Sequence, residues 1–315
     1  MKKHLLVVQS TNYRWILGHW VRQLKLRLNN QALIYWVPIS FTKTHMLSNF
    51  VKSLPLPKFE NYYFTFPTIF ENYLKVCPKR VKDNSIVLYT HNDQTLGTNE
   101  HQVSILSNAR KVHFMCSRDA ERLITFGLPA EKCRIILGAV DTSCYRRESL
   151  ERRRKSILLS SKFGSRKGAN FIPELIERLP DWHFTIIGTG WEEFIYEHSL
   201  TQKDNFSFFE WSESARNLLM SENSIFLSLS TLEGGPIPLI DALACGMYGI
   251  STDTGFARDV IMHRVNGELL PENFKIDAII RALMGANMNE FQSIESVRHL
   301  TWDRITKYYL EDSKN

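Results

Sequence analysis

The stretch IFLSLSTLEGGPIPLIDALACG, residues 225–246, is the one on which the fold turns. An apolar run rich in β-branched and aromatic residues reads as a buried strand. A carboxylate and two glycines follow it, and a helix then begins. Ligands of open α/β sheets bind at such strand ends. Gly234 and Gly235 let a backbone come close to a ligand, Pro238 suits a first helical turn, and the amides of that turn form a phosphate site. Pro236 cannot donate, so neighbouring amides must. Seven residues separate Glu233 from Asp241, which places one acid in the loop and the other near the start of the helix, where both can face one ligand. Alone, Asp241 also reads as an acid complementing a helix dipole.

Outward from this stretch the same rhythm recurs. Upstream lie ILLSS (157–161), HFTIIG (183–188) and FSFF (206–209), and downstream YGIST (248–252). The N-terminal half repeats it with HLLVV (4–8), LIYWV (33–37), IVLYT (86–90), VHFMC (112–116) and RIIL (134–137). Short apolar runs alternating with helix-like segments predict two doubly wound α/β domains in tandem. The polar and charged segment 142–155 separates them, so the expected division is 1–148, 149–290 and a helical tail 291–315, with a cleft between the two halves.

At 315 residues the chain is long enough for two such domains. No apolar run approaches the roughly 20 residues that cross a bilayer. The apolar start is too short for a signal peptide and reads as a first strand. Five cysteines without CxxC spacing argue against a disulfide framework and a zinc site, and a cytoplasmic location is expected. The net charge of +6 favours anionic partners. The dense basic cluster, Arg146, Arg147, Arg152, Arg153, Arg154 and Lys155, is broken by Glu148 and Glu151 and lacks interleaved aromatics, a poor pattern for nucleic acid. It reads either as a solvated linker or as a peripheral contact with an anionic membrane surface at the inner face. The segment 15–28 has an apolar face that covers a sheet or touches a membrane, core packing being favoured. The tail reads as an amphipathic helix interrupted near Thr301.

Three further segments carry chemistry. In SKFGSRKG (161–168), Lys162 and Lys167 can neutralise a diphosphate, and Gly164 and Gly168 allow a tight loop around it. Solvated surface lysines are the plainer reading. IIGTG (186–190) lacks the third glycine of a dinucleotide fingerprint, which disfavours NAD. YTHND (89–93) sets His91 at a strand end, where a structural and a functional role are evenly matched.

Together, SSKFGSRKG, FTIIGTG and EGGPIPLIDALACG resemble the retaining GT-B glycosyltransferases of family 4, the glycosyl transferases group 1. ARKVHFMCSRDAERLITFGLPAEKCRIILGAVDTSCY is similar to a further segment of that family, and the likeness covers roughly residues 105–310. The resemblance implies a GT-B fold of two Rossmann-like domains, with the C-terminal helix packing back on the N-terminal one. It implies that Lys162 and Lys167 hold the donor diphosphate and that Gly234, Gly235 and Ile237 line the donor. Glu233 would contact the sugar hydroxyls, Asp241 the ribose, and His91 would lie beside the sugar. It also implies transfer to an acceptor hydroxyl of a glycan or lipid-linked saccharide, with retention. The nucleotide sugar is then a substrate, and no cofactor or metal is expected. Asp241 stands where the family has Glu and Lys162 where it has Arg, while Tyr13, Arg14, Trp15 and Gly18 replace a glycine-rich loop. Two rival readings are a nucleotide-sugar epimerase and a non-catalytic protein that binds a nucleotide sugar or a carbohydrate on the same fold.

Overall fold

The computed structural model describes residues 3–9, 16–37, 56–92, 94–140 and 152–314. The chain divides into two compact units, Met1–Leu137 with Trp302–Asn315, and Gly138–Thr301. Much of the segment expected to separate the domains, with Arg146, Arg147 and Cys144, lies outside the described residues, as do Tyr13, Arg14 and Trp15.

Unit 1 is a six-stranded parallel sheet. Its strands are β1 (His4–Gln9), β2 (Ala32–Val37), β3 (Asn61–Phe64), β4 (Ser85–Tyr89), β5 (Lys111–Phe114) and β6 (Cys133–Ile135), in the order β2-β1-β3-β4-β5-β6. A parallel sheet is covered on both faces, which is why its strands read as continuous apolar runs. Leu5, Val7, Val87, Val112 and Phe114 are buried at its centre, each contributing about 1.5–3 kcal/mol of burial. Helix α1 (Ile16–Leu28) lays Leu17, Trp20, Val21, Leu24 and Leu28 inward at helical spacing. Its apolar face is therefore spent on the core rather than on a membrane.

The tail forms two helices, α12 (Glu290–Val297) and α13 (Trp302–Lys314), with the break at 298–301. Helix α13 belongs to unit 1. Trp302 meets Trp20 edge to face at 5.2 Å. Further along, the Asp312 carboxylate accepts hydrogen bonds from His113 Nε2 at 2.8 Å and from Arg134 Nη2 at 2.8 Å. His113 is fully buried, and burial holds its pKa below the ordinary value against the opposing pull of Asp312. Burial alone would raise Asp312, but the His113 and Arg134 hydrogen bonds bring it below the usual carboxylate range. The pair therefore reads as neutral imidazole donating to ionised carboxylate.

Unit 2 is a second parallel sheet of β7 (Ser156–Ser160), β8 (His183–Gly188), β9 (Phe206–Glu210), β10 (Ile225–Ser228), β11 (Tyr248–Thr252) and β12 (Gly267–Leu270), in the order β12-β11-β10-β7-β8-β9. Arg152, from the basic cluster, is not a free surface charge. Its guanidinium donates to the carbonyls of Met220, Asn223 and Cys245, at the ends of α8 (Glu213–Glu222) and α9 (Ile237–Ala244), and pairs with Glu290 of α12 at 3.0 Å. A cation at two helix C-termini complements both dipoles. Among the described residues, no helix is long and apolar enough to cross a membrane.

Candidate active site

Strand β7 pairs with β10 on one side and β8 on the other. It is thus the strand from which the connections run in opposite directions, and the crevice beyond its C-terminal end is the place where an open α/β sheet binds ligands. The loops after β7 and β10 are joined there. Thr231 N–H donates to the Arg166 carbonyl at 2.8 Å, and Arg166 Nη1 donates to the Leu232 carbonyl at 2.8 Å. Lys167 Nζ then forms an ion pair with Glu233 Oε1, both side chains more than four-fifths buried.

Gly168 is what lets the loops close. Its φ is +70°, and a Cβ there would stand 2.4 Å from Leu229 Cβ. Gly164 carries no such demand, being extended at φ 178° and facing open space. A third loop supports the site from behind. Gly255 has φ +53°, and a Cβ there would meet the Gly234 carbonyl at 2.7 Å. Thr252 Oγ1 donates to the Ser230 carbonyl at 2.5 Å.

The start of α9 offers fewer donors than a bare helix N-terminus. Ile237 N–H already donates to Gly235 O and Leu239 N–H to Pro236 O, each at 2.7 Å, and Pro236 and Pro238 have no N–H to give. An anion here must lean on the Gly234 and Gly235 amides and on side-chain cations. Ile237 is half-buried, and its Cδ1 lies 2.5 Å from where a Cβ on Gly138 would stand.

Not all expected residues converge. Lys167, Glu233 and Gly234 come together, and Lys162 is exposed at the head of the same loop. Asp241 is buried on the second turn of α9, with its carboxylate 3.6 Å from Arg216 Nη1 of α8. Cys245, one turn later, has its thiol pushed up to about 12, first by burial and then by the Asp241 carboxylate. In unit 1, His91 is half-buried just beyond β4, its ring edge-on to Phe66 at 6.5 Å. Two cations escaped the sequence reading. Arg166 stands beside Lys167 in SRKG and could have been found there, but Arg216 has no local signal, since it becomes visible only once α8 packs beside α9. Among the described residues, no group of three or more His, Cys, Asp or Glu side chains gathers within reach of a metal ion.

Residues 144–294, which hold the whole second sheet, match a family model. The matching model is that of the glycosyl transferases group 1. One component of the human phosphatidylinositol N-acetylglucosaminyltransferase is 27% identical over 179 residues, 52% of this chain and 34% of that protein. The chain thus spans about a third of that relative's length. Among solved structures, sucrose-phosphate synthase from Thermosynechococcus elongatus superposes with a TM-score of 0.81 at 14% identity, covering 99% of this chain and 98% of that one. Anabaena HepE in complex with UDP and glucose does so with a TM-score of 0.74 at 12% identity, covering 99% of both chains. At such identities the likeness concerns the fold, and the two-sheet α/β architecture is the GT-B one that the sequence leads one to expect.

Proposed function

We propose that the protein transfers a sugar from a nucleotide-sugar donor to an acceptor hydroxyl, with retention at the anomeric carbon. The joining of the β7 and β10 loops, which sets Lys167 against Glu233 at the switch point, is the observation that carries this reading. An ammonium has three donors, so Lys167 can hold Glu233 and a diphosphate oxygen at once. The charge that develops on the departing nucleoside diphosphate then meets Lys162, Arg166, Lys167 and the amides of Gly234 and Gly235. Donors fixed before the reaction stabilise such charge without reorganising. Glu233 accepts hydrogen bonds from the sugar hydroxyls and orients the anomeric carbon. Asp241, braced by Arg216, takes the ribose, and Ile237 lines the donor. His91 acts at the sugar. No protein nucleophile is assigned.

The lysines and Arg166 take the role that a divalent metal would otherwise play. Sites where Mg²⁺ meets a diphosphate usually supply one or two carboxylates, and no Asp-x-Asp pair follows a strand in this sequence. No cofactor is involved. A glycan or lipid-linked acceptor is supported by the name of the human relative, a component of a phosphatidylinositol N-acetylglucosaminyltransferase. The complex of HepE with UDP and glucose makes uridine diphosphate sugars the first donors to try.

The experiment is transfer or donor hydrolysis in excess EDTA by wild type and by Glu233→Gln, with melting temperatures alongside. Full wild-type activity in EDTA is expected, with kcat falling in Glu233→Gln far more than donor affinity. Loss in EDTA restored by Mg²⁺ would overturn metal independence, and a fully active Glu233→Gln would remove Glu233 from the mechanism. Binding without turnover would favour a carbohydrate-binding protein.

A further inference from the structure

The segment that carries His91, just beyond β4, rests on a buried polar network that the donor chemistry does not use. Tyr89, the last residue of β4, donates from its hydroxyl to Gln102 Oε1 at 2.7 Å. Gln102 lies on α4 (Asn99–Leu106) and is 3% exposed. Its Nε2 donates to Asn92 Oδ1 and to the Gly97 carbonyl, each at 3.0 Å. Arg122 of α5 (Ser117–Thr125) donates to the Tyr89 hydroxyl at 2.7 Å and pairs with Asp119 at 3.1 Å. Three elements thus converge beneath residues 91–92, while Phe66, beyond β3, closes on the His91 ring from the side.

A buried amide costs about 1–3 kcal/mol unless its donors and acceptor are met, and an apolar side chain would fill the same space without that demand. Here the Gln102 oxygen and both its N–H groups are engaged, and one donated bond goes to Asn92, the residue beside His91, the other to the Gly97 carbonyl at the entrance to α4. A fully satisfied buried network fixes one geometry rather than adding much stability. We infer that Gln102 is a positioning residue for His91, holding the segment 91–92 through Asn92 while Tyr89, itself held by Arg122, fixes Gln102. This rests on the role proposed for His91, but the placement can be tested apart from that role.

The test is the NMR signal of the His91 imidazole, assigned by its loss in His91→Ala, in wild type, Gln102→Met and the control Ser104→Ala on the exposed side of α4. Gln102→Met keeps volume and removes the side-chain hydrogen bonds to Tyr89, Asn92 and Gly97. A shift or splitting of the His91 signal is expected in Gln102→Met and none in Ser104→Ala. An unmoved His91 signal in folded Gln102→Met would overturn the inference, and Gln102→Glu, which keeps the acceptor for Tyr89, serves if the methionine variant does not fold. Turnover of UDP-glucose is measured alongside. Misplacement of about 1 Å costs up to 10²-fold in kcat, so kcat should fall with donor KM unchanged. No further loss is expected when Gln102→Met is added to His91→Ala, because the two act through one group. Wild-type turnover by His91→Ala would remove the role of His91 while leaving the NMR result to judge the positioning.

Discussion

Gly168→Ala is the perturbation that most sharply separates the loop architecture from its chemistry, because it adds one methyl group and removes no charge. At φ +70° an L-residue with a Cβ is disfavoured by about 1–2 kcal/mol. The added carbon would also stand 2.4 Å from Leu229 Cβ and 2.7 Å from the Leu229 carbonyl. Neither is the far end of a flexible side chain, so the β7 and β10 loops must part. Overpacking of this kind costs about 1–3 kcal/mol, which brings the total to roughly 2–5 kcal/mol. Gly164→Ala, at an extended and open position, should cost little and is the matched control. Denaturant melts of both variants give the stability difference, and titration with UDP-glucose gives the effect on donor binding. Gly168→Ala should lose both stability and donor affinity, since Lys167 and Glu233 are carried apart with the loops. Equal stability of the two variants, or a destabilised Gly168→Ala with wild-type donor affinity, would refute the claim that loop closure builds the site.

Three further outcomes are expected. Trp302→Ala removes the anchor of α13 against Trp20 and should destabilise unit 1 by roughly 3–5 kcal/mol, read as a lower melting temperature. Stability should fall as pH drops below about 6.5, because an unfolded histidine takes up a proton that buried His113, its pKa lowered in the fold, refuses, and His4 and His183 add to the effect; a melting temperature constant from pH 7.5 to 5.5 would contradict this. Attachment of α1 to anionic vesicles should be abolished by salt, since its apolar face is buried and its basic residues are what it presents; salt-resistant co-sedimentation would show an apolar contact instead.

Most of the fold was legible because buried parallel strands read as apolar runs, and ten of the twelve strands stand where those runs are. The two that were not read are β3, NYYF, and β12, GELL. Each is four residues long; the first opens on Asn and the second on Gly-Glu, so neither presents the continuous apolar run a buried strand shows. The amphipathic character of the tail was legible in its spacing and its destination only in the family resemblance, whereas the ion pair through Asp312 was legible in neither, since it needs partners some 180–200 residues away. Within the candidate site, Lys167 and Glu233 were readable from their glycine-bearing loops. The amides of α9 were over-read, because Ile237 and Leu239 bond back to Gly235 and Pro236. The surroundings of Asp241 were hidden for a different reason: its helical position is local, but its neighbour Arg216 is set by the packing of two helices.

The most direct test of the central claim is the release of nucleoside diphosphate from UDP-, GDP- and ADP-sugars by purified wild-type protein and by Lys162→Ala and Lys167→Ala, followed by mass spectrometry of the products. The account predicts that one nucleotide sugar is consumed by wild type and that kcat/KM falls in both variants, more steeply for Lys167→Ala, which also strips Glu233 of its partner. A folded wild-type protein that neither binds nor consumes any nucleotide sugar, or a Lys167→Ala variant with wild-type kcat/KM, would contradict it.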